Sequence, residues 1–227
     1  MKKIKNIVLF IAILLSYILY SSLIVLLFKK IGLEIKAMNV LPKTIFLIAI
    51  ELSFILILWF IYRKELKEEF KDYKKNFSDY FKLGLKVWAI GLLIMMTSNI
   101  ILNLVFHVSP SNESNVQALL KQLPVYILIA TIIYAPFSEE IIFRKSLDKC
   151  FSNKFLFIIV SGLIFGSLHV LTSKNSLEML YIIPYGAFGS AFAYMYYKTK
   201  NIFTSMTIHM LHNSILVIVS LISLAVI

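Results

Sequence analysis

Glu139 and Glu140 are adjacent, and Arg144 follows four residues after Glu140. All three lie in a run from Pro124 to Arg144 that is otherwise almost wholly apolar. One ionised side chain near the centre of a bilayer costs roughly 3 kcal/mol or more, and two neighbouring acids also repel each other. Such residues persist in a span when they face the protein interior, find partners or perform chemistry. Further along, His169 follows Phe165 by four residues, and His209 and Asn213 are four apart with His212 beside Asn213. Carboxylates and imidazoles gathered in an apolar setting are the materials of general acid–base catalysis. Two histidines and a carboxylate are also a zinc ligand set, for which Glu139, His169 and His209 are the candidates.

Helical geometry sorts these groups. Residues four apart share a helix face, so Glu140 and Arg144 can pair. That leaves Glu139 about 100° around the helix with no local cation. His209 and Asn213 share a face in the same way. Glu140 lies 14 residues before Lys154 and His169 lies 15 after it. Both are then about 21–23 Å from the turn Ser152–Lys154, at one level of a helical hairpin. His209 is about 13 Å past its own turn at Lys200, so the three sets can meet in one half of the membrane. Pro136 cannot donate to the carbonyl of Ile132, which predicts a kink just before the glutamates. Gly162 and Gly166 form a small face for close helix packing.

The elements that must position these residues are transmembrane helices. Hydrophobic residues make up 59% of the 227 and charged residues 15%, with a mean hydropathy of +0.85. Soluble domains carry more charge and less apolar content. About 20 apolar residues span the hydrocarbon core, which gives an all-α, polytopic transmembrane bundle of about seven spans. These are 6–28, 44–62, 83–106, 124–147, 155–172, 177–197 and 202–225. The first reads as a span and not as a removable signal peptide, because no small-residue cleavage site ends it. Most Lys and Arg residues fall before the first span and in alternate loops, which predicts a cytoplasmic N-terminus and an outside C-terminus. Arg63–Tyr80 mixes Lys and Glu with aromatics and predicts an amphipathic cytoplasmic segment at 63–80 on anionic headgroups. Val108–Gln122 is polar and divides the chain into an N-terminal unit of about three spans, 1–115, and a four-span unit, 116–227. Cys150 is the only cysteine, so no intrachain disulfide forms. The expected partners are the lipid bilayer and a peptide or protein substrate, with no nucleic acid. Glu51, in mid-span, has no assigned role.

The polar sets resemble, in order, the motifs of the CPBP intramembrane protease family, also called the CAAX-protease or Abi family. Glu139-Glu140-Ile141-Ile142-Phe143-Arg144 resembles its Glu-Glu-x-x-x-Arg motif. Phe165-Gly166-Ser167-Leu168-His169 resembles its Phe-x-x-x-His motif, and His209-Met210-Leu211-His212-Asn213 its His-x-x-x-Asn motif. The resemblance covers about residues 120–216; residues 1–115 carry no motif. It implies helices packed around a cytoplasm-facing intramembrane cavity, and peptide-bond hydrolysis. It further implies that Glu139 and His169 activate water, that His209 and Asn213 stabilise the oxyanion, and that Glu140, Arg144 and Phe165 shape the site. A metal-independent glutamate mechanism is the expectation. Zinc is the alternative, although the His-Glu-x-x-His helix of soluble zinc proteases is absent. In a bacterial cell membrane the role would be bacteriocin self-immunity or peptide maturation. The competing reading is a noncatalytic membrane immunity or scaffold protein. A proton-coupled transporter fits less well, because the polar residues do not extend through the full depth of the spans.

Overall fold

Without water in the hydrocarbon core, every backbone N–H and C=O must be bonded within its own segment, which only helices and closed barrels achieve. The computed structural model describes residues 2–226 and contains helices and turns but no strand among them. The N-terminal three helices are α1 (Lys2–Lys30), α2 (Val40–Lys75) and α3 (Phe77–Phe106), and a polar helix α4 (Ser111–Gln122) follows. A continuous helix, Pro124–Ser146, is built from α5 (Pro124–Ile129), a π-helical turn, α6 (Ala135–Glu140) and a second π-helical turn. Then come α7 (Lys154–His169), a 3₁₀ turn at Ser176–Tyr181, α8 (Ile182–Thr199) and α9 (Ile202–Val226).

Among the described residues, five helices are long and apolar enough to cross a membrane: Lys3–Lys30, Val40–Lys75, Phe77–Phe106, Pro124–Ser146 and Ile202–Leu224. The segments expected as spans at 155–172 and 177–197 are shorter helices. α7 has 16 residues, or about 24 Å of rise, less than the ~30 Å core. It stops at His169, ahead of the polar stretch Thr172–Asn175. The segment after it begins as a 3₁₀ turn, so α8 starts only at Ile182.

Segment 63–80 is helical and divided between two long helices. Arg63–Lys75 continues α2, and α3 begins at Phe77. The extension stays helical because its acids dock on protein. Glu69 bonds the fully buried Lys145 ammonium and, at 2.9 Å, accepts the backbone N–H of Ile202, capping α9 with a negative charge. Asn201 donates to the Glu69 carbonyl and to Asp72. One turn of α2 therefore holds the ends of both helices that carry the acids and His209.

α7 and α8 approach backbone to backbone. A Cβ on Gly166 would lie 2.7 Å from Gly186 N and from the Ile182 carbonyl, and one on Gly162 would collide with Ser190 Oγ. At the other end of the bundle, Glu178 ties the 3₁₀ turn to α4. It accepts the hydroxyl of Ser111 at 2.5 Å and the Ser111 backbone N–H at 3.1 Å. These bonds hold the Glu178 carboxyl below the usual carboxylate range.

Candidate active site

The acids sit between two widened turns of one helix. In the first, Ala130–Tyr134, the N–H of Ala135 reaches back to Ala130, a five-residue step. The carbonyl of Thr131 then lacks its α-helical partner, and its π-helical partner would be Pro136, which has no N–H. Asn213 supplies the missing donor, its amide bonding Thr131 O at 2.7 Å. The break expected at Pro136 thus takes the form of a π turn, and α9 fills the gap. The second widened turn, Ile141–Ser146, carries Arg144. Single-turn π bulges recur at functional sites because they re-aim the side chains around them.

Glu140, Arg144 and His209 form the buried centre. Glu140 and Arg144 have no exposure, and His209 is 4% exposed. Arg144 Nε lies 3.2 Å from Glu140 Oε2. The angle is not that of a hydrogen bond, so both atoms and Arg144 Nη1 lack a hydrogen-bond partner, and the contact is held by charge. Arg144 Nη2 donates to the Gly189 carbonyl at 3.1 Å. Its guanidinium faces the rings of Phe165, Phe192 and Phe143 at 4.9, 5.5 and 5.9 Å, which adds cation–π attraction in a dry site. Glu140 Oε1 also meets His209 Nδ1 at 2.9 Å. A carboxylate accepts, so Nδ1 carries the proton, and Nε2 is left facing Glu139 Oε2 at 3.8 Å. The His209 ring stacks on Phe192 at 4.6 Å and 19°.

Glu139 is the acid without a cation at hydrogen-bond distance. Its Oε1 accepts the Tyr17 hydroxyl of α1 at 2.9 Å. His169 joins the group through Phe165, with ring centroids 4.4 Å apart. Phe165 also lies 6.0 Å from His209. His169 Nδ1 bonds the Phe165 carbonyl at 2.9 Å. A carbonyl only accepts, so Nε2 is the ring's free acceptor. The opposite face of His169 meets Tyr185 at 4.8 Å.

The structure therefore brings Glu139, Glu140, Arg144, Phe165 and His209 into contact. His169 is one ring removed from them, and no hydrogen bond or ion pair links it to Glu139 among the described residues. Asn213 is turned to a backbone carbonyl. His212 accepts from Trp88 Nε1 at 3.4 Å and stacks on Phe188, against α3. Glu51 accepts the Tyr126 hydroxyl at 2.7 Å. Three participants have no signature in the sequence. Tyr17 is one of several hydroxyls in an apolar span, the Gly189 carbonyl belongs to the backbone, and Phe192 is one of 18 phenylalanines.

The zinc set does not assemble. Among the described residues no three His, Cys, Asp or Glu side chains converge as a metal-holding group. Two cavities lie at the end of the bundle bearing Lys149. One of about 560 Å³ is lined by Asn6, Glu65, Asp148, Lys149, Phe151 and Lys154. The other, about 580 Å³, runs between α1 and α7 past Phe10, Phe151 and Val160. Neither is lined by Glu139, His169 or His209.

Residues 121–215 match the family described as type II CAAX prenyl endopeptidase, Rce1-like. A Bacillus subtilis (strain 168) protein named "Putative membrane peptidase YdiL" is 32% identical over 123 residues, covering 52% of this chain and 47% of that protein. An uncharacterized protein of Mycoplasma capricolum subsp. capricolum is 37% identical over 102 residues, 44% of this chain and 29% of that protein. The alignments thus span less than half the length of either relative. No solved structure matches. The matched segment contains Glu139, Glu140, Arg144, Phe165, His169, His209 and Asn213, and begins after α1, α2 and α3.

Proposed function

We propose, from the match of residues 121–215 to the type II CAAX prenyl endopeptidase Rce1-like family, that this chain is an intramembrane endopeptidase with Glu139 as its base. The observation that carries the assignment is the division of labour between the two acids. Glu140 is spent on Arg144 and His209. Glu139 is held by one neutral hydroxyl and keeps an oxygen directed at His209 across a 3.8 Å gap. A base needs a lone pair not already committed to a cation.

In this reading Glu139 takes a proton from water as the water oxygen bonds to the substrate carbonyl carbon. His169 Nε2, unprotonated in the tautomer that Phe165 fixes, accepts from the same water. The carbonyl oxygen becomes an oxyanion. His209 and the second amide proton of Asn213 serve as its donors, in a site where low dielectric strengthens each bond. For that role His209 Nε2 must present a proton to the oxyanion. Collapse of the intermediate breaks the C–N bond, and Glu139 returns the proton to the leaving amine. Glu140 and Arg144 hold His209 and Phe165 in place.

The substrate is a peptide or protein held in or at the bilayer, with bacteriocin self-immunity or peptide maturation as the biological setting. The N-terminus is cytoplasmic and the C-terminus outside, in a bacterial cell membrane. The mechanism is metal-independent, because base, second acceptor and donors are all side chains of the chain. The test is exhaustive chelation of the purified chain followed by assay on a pool of internally quenched peptides. Cleavage that survives chelation is expected. Cleavage lost with about one zinc per chain and restored with it would reassign Glu139, His169 and His209 as ligands.

A further inference from the structure

α1 lies outside the family-matched segment, and most of its surface is exposed on the outside of the bundle. Its apolar contacts with the core run through buried Phe10 and Ile13, with Leu14, Tyr17 and Tyr20 packed beside them. Yet it sends one hydroxyl to the site, from Tyr17 to Glu139 Oε1 at 2.9 Å. The ring that carries this hydroxyl is fixed from three sides. Phe54 of α2 lies 6.1 Å away, and Tyr134 of the first π turn stacks at 6.3 Å and 25°. Phe143 of the second π turn stands edge-on at 6.3 Å and 87°. The two widened turns that flank the acids thus also grip the tyrosine that meets them.

A carboxylate side chain in an apolar wall rotates about its last bond unless one oxygen is tied, and that torsion is broad. Tyr17 ties Oε1, and His209 Nε2 stands 3.8 Å from Oε2. The gap is too long for a direct hydrogen bond and suits two groups that share a water or a reacting oxygen. Resting on the reading of Glu139 as base, we infer that Tyr17 is a positioning residue. It fixes the Glu139 carboxylate so that Oε2 alone faces the reacting water. The N-terminal helix is then a working part of the site, and the matched segment by itself lacks one of its members.

The test is Tyr17→Phe in the purified full-length chain, because phenylalanine keeps all three ring contacts and removes only the hydroxyl. On the internally quenched peptide pool, kcat should fall about tenfold, which corresponds to about 1.4 kcal/mol. KM and the thermal midpoint should stay close to the parent, because neither packing nor the substrate contact changes. A second readout does not require turnover. The infrared carboxylate band assigned to Glu139 by Glu139→Gln difference should shift in Tyr17→Phe. An unmoved band, or an unchanged kcat beside an inactive Glu139→Gln, overturns the inference and leaves the hydrolytic reading standing. A Tyr17→Phe chain that loses thermal stability in step with activity marks a packing residue and also overturns it. If Glu139→Gln cleaves like the parent, the hydrolytic reading itself fails and takes the positioning role with it.

Discussion

Replacing Arg144 by alanine strands Glu140. In the parent, Glu140 has no exposure, and its two polar neighbours are Arg144 at 3.2 Å and His209 at 2.9 Å. Breaking a buried pair by removing one partner costs about 3–5 kcal/mol, because the remaining charge keeps its desolvation penalty and loses its compensation. The truncation also removes the donor to Gly189 and the cation facing three phenylalanine rings. Against a typical total of about 5–15 kcal/mol, that is a large fraction of the stability. The Arg144→Ala chain should therefore unfold in detergent at a much lower temperature and show little cleavage. Adding Glu140→Gln removes the stranded charge. The double variant should regain more stability than activity, since His209 still lacks the carboxylate that orients it. Both chains are compared with the parent by thermal and denaturant unfolding, then by cleavage of the quenched peptide pool. If Arg144→Ala unfolds within about 0.5 kcal/mol of the parent, the level of a neutral surface change, the pair is solvated and the reasoning fails.

Gly166→Ala would place a Cβ 2.7 Å from two backbone atoms of the facing helix. α7 and α8 must part, at a cost of about 1–3 kcal/mol, and a thermal midpoint equal to the parent's would contradict that packing. Glu178 supports a pH-dependent tie. Its folded value is depressed, so its stabilisation is full above the usual carboxylate range and is lost as pH falls through the depressed value. Glu178→Gln should melt below the parent at pH 7, and the gap should close in acid. A gap that persists unchanged into strong acid would mean that the Ser111 contacts do not depend on charge.

Much of the site was legible because helical spacing carries it. Glu140 and Arg144, four apart, are paired, and the match in level between the acids and the Phe165 segment holds through the Phe165–Arg144 contact. The small face at Gly162 and Gly166 does pack against α8. Other parts depend on distances between segments that no local pattern encodes. Tyr17 reaches Glu139 across 122 positions. Asn213, expected at the oxyanion, gives one N–H to Thr131 because a π turn and Pro136 free that carbonyl. Hydropathy alone marked 155–172 as a span, whereas the helix ends at His169. Charge pattern alone placed 63–80 on lipid headgroups. The acids there bind Lys145, Asn201 and the start of α9, contacts between distant segments that a charge pattern does not encode.

The most direct measurement compares Glu139→Gln with the parent in cleavage of a peptide pool by the purified full-length chain. Glutamine keeps the size of the side chain and can still accept the Tyr17 hydroxyl, but it cannot take a proton from water. The variant should fold, melt near the parent and show no cleavage above background. Cleavage by Glu139→Gln at the parental rate would show that the water is activated elsewhere and that Glu139 is not the base.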